Sequence, residues 1–306
     1  MKKFILLFAL SALVLSASAQ ITKQIEIGAD EIVTLWDNST AKYSNYMEKD
    51  EKVISGRKFY NTSSADLYIF QPDKQNDTGV SIVIYPGGSY RYVGFSTHFI
   101  KWCKANGITA AMLKYRVPNS GHNQATLEDA TGAVEYMRAN AERLGIDPTK
   151  VGVAGCSAGG HLAAYTSTFT PDKEKPAFSI LFYPVITGTT WETHQNTFQY
   201  LLGKRRTQKE QEYYSLENRV TPTTPPTILL LSDDDLTVPP ISSILYYEAL
   251  RANGVPATMH IYPSGAHGWA GHDEFKYSAE AKDALTDWLK IQSKNATEKK
   301  SKKAKK

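Results

Sequence analysis

The chain has few cysteines, and their positions exclude several classes of protein. Only Cys103 and Cys156 occur among its 306 residues, and neither lies at a metal-ligand spacing with the seven histidines. The sequence therefore shows neither a structural zinc motif nor the dense disulfide framework of small secreted domains. Cys103 falls in a predicted helix and Cys156 precedes a candidate nucleophile, so we expect two free, buried thiols.

Long apolar runs are also scarce. The one such run spans residues 4–15, after the basic pair Lys2-Lys3 and before the small residues Ala17-Ser18-Ala19. This order is the pattern of a secretory signal peptide, and the run is short for a membrane span. We therefore predict a signal peptide over 1–19 with cleavage after Ala19, a secreted or periplasmic location, and no integral membrane segment.

Positive charge is concentrated at the two ends of the chain. Of the formal net charge of +4, Lys2 and Lys3 supply two charges and residues 295–306 supply a net five, which leaves the body near −3. Such a body gives no reason to expect a nucleic-acid partner. We predict one α/β domain over 20–293 and a basic, disordered tail over 294–306.

Apolar runs and helical patterns alternate through most of the body, after an irregular start that ends near residue 51. This alternation predicts an α/β fold with a mostly parallel, doubly wound sheet and helices on both faces. A polar stretch over 187–226, with a predicted helix near 208–218, interrupts the alternation. Such an insertion is either a lid or binding loop, or a helical excursion without a binding role. The apolar runs are 80–85, 108–115, 151–154, 178–183, 227–231 and 257–262, and the helical patterns are 98–106, 127–144, 158–168, 241–253 and 275–292.

The segment Gly155–Gly159 has the form G-x-S-x-G, with a predicted strand before it and a predicted helix after it. In this setting the pattern is typical of a nucleophile elbow, a strained turn that presents a serine hydroxyl at the carboxyl end of a strand. Glycines at such a turn relieve crowding because they carry no Cβ, and the helix start offers unpaired N–H groups. The pattern predicts Ser157 as a catalytic nucleophile.

A serine hydroxyl needs a base to accept its proton and a carboxylate to orient that base. Asp235 follows the predicted strand 227–231, and His267 follows the predicted strand 257–262 after a short turn. The order Ser157, Asp235, His267 is the one expected of α/β-hydrolases. Asp233 and Asp234 are alternatives for the acid. His161, on the helix behind Ser157, is predicted to be a packing residue.

Acyl transfer also needs hydrogen-bond donors directed at the oxyanion of the transition state. The strand 80–85 leads into the sequence Pro86-Gly-Gly-Ser89, which is similar to the H-G-G-G loop of esterases. The backbone N–H groups of Gly88 and Ser89, together with that of Ala158, are the predicted oxyanion-hole donors.

Taken together, these motifs resemble the secreted bacterial carbohydrate esterases of the α/β-hydrolase fold, in particular acetyl xylan esterases and bifunctional acetyl xylan/feruloyl esterases. The resemblance covers about residues 32–289. It implies a Ser–His–Asp esterase that removes acetyl or feruloyl groups from xylan-type polysaccharide or oligosaccharides without a metal or organic cofactor. Ser89 stands where members of this family usually carry a third glycine. The segments that carry the resemblance are Tyr85–Tyr90, Leu113–Arg116, Gly145–Pro148, Gly155–Ala164, Asp235–Pro240 and His260–Trp269.

Two other functions are compatible with the same fold. One is a serine peptidase, although such peptidases usually carry an added domain or selective cap for which this chain has little room. The other is a non-catalytic carbohydrate-binding relative, which the filled triad positions disfavour. The sequence leaves the oligomeric state open.

Overall fold

An eight-stranded sheet organises residues 27–304, the part of the chain that the computed structural model describes, with side chains through residue 292. The predicted signal peptide and its cleavage site lie outside the described residues. The strand order is β1-β4-β7-β5-β8-β9-β10-β11. These strands are β1 (Glu31–Asp37), β4 (Ser64–Phe70), β5 (Val80–Tyr85), β7 (Ile108–Lys114), β8 (Val151–Cys156), β9 (Ser179–Phe182), β10 (Thr227–Ser232) and β11 (Ala257–Tyr262).

Six neighbouring strands, β7, β5 and β8–β11, run parallel, while β4 and β1 add to the β7 edge in antiparallel fashion. Every residue of β5, β7 and β10 is buried, as expected for a parallel sheet covered on both faces. The predicted α/β-hydrolase fold with a mostly parallel sheet is therefore confirmed. β1 lies within the stretch that we predicted to be irregular. It is an edge strand of partly buried residues, so it lacks a long apolar run.

A small antiparallel sheet stands apart from the main one. It joins β2 (Lys52–Ile54) and β3 (Lys58–Tyr60) to β6 (Tyr92–Gly94), the strand that follows the Gly87-Gly88 turn. The loop that carries the predicted oxyanion donors is thereby fixed at both ends, by β5 in the main sheet and by β6 in the small one.

Helices cover both faces of the main sheet, as the side chains of β8 show. The Cβ direction of Gly155 points to Gly159 in the following helix, whereas Ala154 and Cys156 line a cavity with Phe99 from another helix. Because successive strand residues point to opposite faces, these two helices lie on opposite sides of the sheet. The helices are α1 (His98–Ala105), α2 (Gln124–Ala139), α3 (Ala141–Leu144), α4 (Ala158–Phe169), α5 (Gln195–Leu202), α6 (Gln208–Tyr213), α7 (Ile241–Ala252) and α8 (Ser278–Ala304).

Two helical segments differ from the sequence prediction. The insertion over 187–226 contains α5, which its polar composition did not reveal, in addition to the predicted helix, which ends at Tyr213. A capping box at Thr207 and Glu210 starts α6. At the other end, α8 continues to Ala304, into the lysine-rich stretch that we predicted to be disordered.

A buried ion pair ties the end of β7 to α2. The side chains of Arg116 and Asp129 are both fully buried, with Arg116 Nη2 2.6 Å from Asp129 Oδ1. Glu128 Oε2 accepts a second bond from Nη2 at 3.0 Å, and Trp36 of β1 donates its ring N–H to Asp129. The cluster therefore joins the sheet edge, β7 and α2. Removing either Arg116 or Asp129 would leave the other as an unpaired buried charge.

Replacing Asp129 with alanine should lower the free energy of unfolding by about 3–5 kcal/mol, because Arg116 would stay buried without its main partner. Urea denaturation of the full chain measures this loss. Asp273→Ala is the matched control, since that carboxylate is 77% exposed and pairs with Lys282 at the surface. The control should lose less than about 1 kcal/mol. Equal losses in the two variants would contradict the importance of the buried pair.

His161 fastens α4 to two loops, as expected for a packing residue. Its ring is fully buried, with Nε2 2.9 Å from the carbonyl oxygen of Tyr214 and Nδ1 2.9 Å from the hydroxyl of Tyr90. Nε2 must donate to the carbonyl, so Nδ1 of the neutral ring accepts from Tyr90. Burial lowers the pKa of His161 to about 4. The helix behind Ser157 is thus linked both to the β5–β6 loop and to the insertion.

The lowered pKa of His161 predicts a loss of stability in acid. Below about pH 6.5 the unfolded chain protonates this histidine while the folded chain does not, so the unfolded state binds more protons and stability falls as pH falls toward 4. Between pH 7.5 and 5 the contribution is about 2 kcal/mol. The free energy of unfolding, measured by denaturation at both pH values, should fall on acidification in the wild type. In His161→Gln this fall should be smaller by about 2 kcal/mol.

The same substitution at exposed His122 serves as the control and should leave the pH dependence as it is in the wild type. If His161→Gln and the wild type lose the same stability on acidification, the buried ring is not the acid-sensitive group.

Candidate active site

Ser157 occupies the turn between β8 and α4 in a strained backbone conformation. Its φ is 57° and its ψ is −124°, a region that L-residues rarely adopt and that surrounding contacts must maintain. Its N–H donates to the carbonyl of Phe182 at 3.1 Å, and its own carbonyl accepts from Val185 N–H at 3.1 Å and His161 N–H at 3.2 Å. The turn is therefore anchored to the end of β9 and to the first turn of α4.

The two glycines of the G-x-S-x-G motif allow this turn to form. A Cβ at Gly155 would lie 2.0 Å from the carbonyl oxygen of Gly159, and a Cβ at Gly159 would lie 1.9 Å from the carbonyl oxygen of Tyr85. Both distances are far below van der Waals contact with backbone atoms that cannot move independently. The glycines are thus required because helix, elbow and strand β5 approach one another so closely.

Asp235 and His267 form a hydrogen-bonded pair. Oδ2 of Asp235 lies 2.6 Å from Nδ1 of His267, and Oδ1 accepts the N–H groups of Thr237 and Val238, each at 2.9 Å. The carboxylate is fully buried, whereas the imidazole is 20% exposed. Because Nδ1–H of the neutral ring donates a hydrogen bond to the carboxylate, Nε2 is the unprotonated nitrogen and is free to accept a proton. The pair is suited to general base chemistry.

The neighbouring aspartates have other roles. Asp234 accepts the N–H groups of Gly265 at 3.2 Å and Ala266 at 2.7 Å, so its carboxylate holds the turn that carries His267. Asp233 is exposed and uses its N–H to bond the carbonyl of Tyr262 at 2.8 Å. Of the three candidates for the acid, Asp235 is the one bonded to the imidazole.

The three predicted catalytic residues all follow carboxyl ends of parallel strands, Ser157 after β8, Asp235 after β10 and His267 after β11. Residues at the end of β9, between these strands, connect them. Phe182 accepts the Ser157 N–H, and the next residue, Tyr183, places its ring 4.5 Å from that of His267. The hydroxyl of Tyr183 also accepts the N–H of Ala270 at 2.8 Å. The structure thus gathers the three residues at one edge of the sheet.

The predicted oxyanion loop packs directly against the elbow. A Cβ at Gly87 would lie 2.9 Å from the carbonyl oxygen of Cys156 and 3.3 Å from Cβ of Ser157. Gly88 and Ser89 follow with φ values of 133° and 55°, so Ser89 adopts a left-handed conformation that suits the glycine usual there. Within residues 27–304, no protein acceptor takes the N–H groups of Gly88, Ser89 or Ala158. All three predicted donors are therefore unused by the fold.

Sequence reasoning missed two aromatic residues at this site. Tyr183 was assigned only to a buried strand, and its contact with His267 has no local signal because 84 positions of chain separate them. His194 at the start of α5 is the other. Burial lowers its pKa most, and interaction with His267 lowers it further while Asp235 raises it, so the insertion approaches the Asp235–His267 pair.

A small cavity adjoins Cys156, the residue before Ser157. Its volume is about 30 Å³, and its lining is apolar apart from the Ser96 hydroxyl and the Cys156 thiol. Both cysteines are free, with Cys103 buried and Cys156 partly buried. Burial raises the pKa of the Cys156 thiol. The other lining residues are Ile84, Pro86, Gly94, Phe99, Met112, Ala154, Gly155, Phe182 and Ala270.

Residues 27–304 lack two further features. Among them, no cluster of histidine, cysteine, aspartate and glutamate is arranged to hold a metal ion. None of the helices in this part of the chain combines the length and the apolar character that a membrane crossing requires.

Comparison with known proteins finds relatives that bear esterase and xylanase names. An acetylxylan esterase of Xylanibacter ruminicola is 36% identical over 234 residues, which cover 74% of this chain and 48% of the relative. Endo-1,4-beta-xylanase B of Butyrivibrio fibrisolvens is 31% identical over 237 residues, which cover 68% of this chain and 35% of the relative. The chain thus spans about half the length, or less, of these curated relatives.

A solved structure and a family profile agree with these relatives. The acetyl ester-xyloside bifunctional hydrolase from Caldicellulosiruptor lactoaceticus superposes with a TM-score of 0.70 at 29% identity, covering 86% of this chain and 96% of that one. The profile of the alpha/beta hydrolase fold matches residues 82–271, which include most of β5, the elbow, Asp235 and His267. The chain therefore belongs to the alpha/beta hydrolase fold family.

Proposed function

We propose that the chain is a serine esterase that removes acetyl or feruloyl groups from xylan-type polysaccharide or oligosaccharides. The observation that carries this proposal is the buried hydrogen bond between Asp235 and His267, at the same sheet edge as a strained serine elbow. A relative that bears the name acetylxylan esterase supports the substrate class. A secreted or periplasmic location, proposed from residues 1–19, would give access to such polymers.

In the proposed reaction, Nε2 of His267 takes the proton of Ser157 while the serine oxygen attacks the ester carbonyl carbon. The N–H groups of Gly88, Ser89 and Ala158 stabilise the oxyanion that forms. The bond between the acyl carbon and the sugar oxygen then breaks. His267 gives its proton to the departing sugar oxygen, which leaves as a hydroxyl group. Water attacks the acyl-serine in the same way and releases the acid. Asp235 holds the imidazole tautomer and stabilises the imidazolium.

The cavity beside Cys156 favours acetyl over feruloyl as the acyl group. A volume of about 30 Å³ is room for about two water-sized groups, which is the size of an acetyl group. An aromatic feruloyl chain would not fit without displacing buried residues such as Phe182 or Met112. If the acyl group enters this cavity, the length of the acyl chain should determine the rate of ester hydrolysis.

Ser157→Ala should reduce kcat on 4-nitrophenyl acetate by about five to six orders of magnitude, because the nucleophile is lost. Asp235→Asn should reduce it by about four orders, since the amide favours the wrong imidazole tautomer. Ser39→Ala changes an exposed serine beside the edge strand β1 and should match the wild type. Comparable turnover by Ser157→Ala and the wild type would refute the proposal. If the wild type cleaves peptide amides but not esters, the chain is instead a serine peptidase of the same fold.

A series of 4-nitrophenyl esters tests the acyl cavity. With the leaving group held constant, kcat/KM should be highest for the acetate and should fall at least tenfold, about 1.4 kcal/mol in barrier, by the hexanoate. Met112→Ala removes a buried side chain from the cavity lining and should reduce this fall. A flat profile, or a preference for longer acyl chains in the wild type, would show that the acyl group binds elsewhere.

A further inference from the structure

A second, much larger hollow lies beside the predicted oxyanion loop. Its volume is about 770 Å³, within the range of sites that hold drug-sized or larger ligands. Three segments line most of it: Tyr90 and Arg91 after Ser89, residues 117–120 after β7, and residues 199–200 and 202–205 of the insertion. We call it the basic groove. Its other lining residues are Met47, Tyr60, Asn61 and Glu210.

The charge of this groove is opposite to that of the body. Arg91, Lys204 and Arg205 are exposed, and no carboxylate of the described residues lies within ion-pair distance of any of them. The guanidinium of Arg91 lies over the ring of Tyr60, 5.9 Å from its centroid. Three unpaired cations around one hollow, in a body of net charge near −3, make a local site that favours an anion.

The acid among the lining residues does not neutralise these cations. Glu210 uses Oε2 to accept the N–H of Thr207 at 2.7 Å and the hydroxyl of Thr207 at 2.8 Å, in the capping box that starts α6. These bonds lower the pKa of Glu210, so its charge serves the helix N-terminus. The groove keeps a net positive charge that the fold does not use.

The groove opens close to the elbow. In the sheet, β7 is separated from β8 only by β5, and neighbouring strands lie about 4.8 Å apart. The end of β7, from which this loop leaves, is therefore about 10 Å from the end of β8 where Ser157 stands. Tyr90 and Arg91 directly follow the predicted oxyanion donors. A glycan whose acyl group reaches Ser157 can thus extend along this side into the basic groove.

The polar and aromatic lining suits a sugar. The amides of Asn61, Asn119 and Gln199 can exchange hydrogen bonds with hydroxyl groups, and the ring of Tyr200 offers a flat face. An arginine guanidinium binds a carboxylate through two parallel N–H donors. Amides, an aromatic ring and arginines together match a sugar unit that carries a carboxylate.

We propose that the basic groove binds a carboxylate-bearing sugar unit of the acylated glycan, with Arg91 and Arg205 as its main ligands. The proposal rests on the proposed function, because it places this unit on the same chain as the ester. It makes the esterase selective for acidic glycan chains over neutral chains of the same length.

Calorimetric titration of the Ser157→Ala protein tests this selectivity without turnover. The two ligands are an acetylated xylo-oligosaccharide that carries a uronate side group and the neutral oligosaccharide of the same backbone length. The acidic ligand should bind about tenfold more tightly at low salt, and the advantage should shrink as salt is added, because screening weakens the charge contact.

Arg91→Gln with Arg205→Gln, introduced together into Ser157→Ala, should abolish the preference for the acidic ligand. Lys209→Gln in the same background is the matched control, since Lys209 is exposed on α6 outside the groove lining, and should keep the preference. Circular dichroism confirms that each variant is folded.

Equal binding of the two ligands, no binding of either at millimolar concentration, or a preference that survives the double arginine change would overturn the proposal. These outcomes are separate from the ester assays. If the wild type cleaves esters but the acidic ligand is not preferred, only the proposed role of the groove is refuted. If the acidic ligand is preferred but the wild type cleaves no ester, only the proposed esterase activity is refuted.

Discussion

The approach of α4 to the sheet is the contact on which the rest of the site depends. Gly155 and Gly159 let helix, elbow and β5 meet at distances that no Cβ would allow. Once they meet, Ser157 has little choice of backbone conformation, and its strain of about 1–3 kcal/mol is offset by bonds to Phe182, Val185 and His161. The same contact places the unused N–H group of Ala158, at the helix start, directly after the serine.

The proposed base is held by a different kind of support. His267 lies in a loop after β11, and polar contacts from other strands fix that loop. Asp234 bonds two of its N–H groups, and Ser232 accepts the ring N–H of Trp269 at 2.8 Å. The serine is therefore positioned by backbone packing and the histidine by side chains that end neighbouring strands. The parallel sheet brings these two supports together because its carboxyl ends share one edge.

Much of this arrangement could be predicted from the sequence because its signals are local. The six parallel strands are apolar runs, and the elbow needs its glycines within five residues. The edge strand β1 could not be predicted, since partial burial leaves mixed polar and apolar residues with no distinct period, and helix α5 was missed because it is only eight residues long within a polar stretch. The contacts of Tyr183, Asp234 and His194 also gave no signal, because each depends on segments far apart in the chain. The choice among Asp233, Asp234 and Asp235 needed coordinates for the same reason.

The free thiol of Cys156 has a consequence for chemical durability. It stands next to the proposed nucleophile and faces the small cavity, so an oxygen added to its sulfur would occupy the space assigned to the acyl group. Burial raises the pKa of this thiol and keeps it protonated, and a protonated thiol reacts slowly with peroxide. The apolar surroundings that shape the cavity thereby also protect it from oxidative damage.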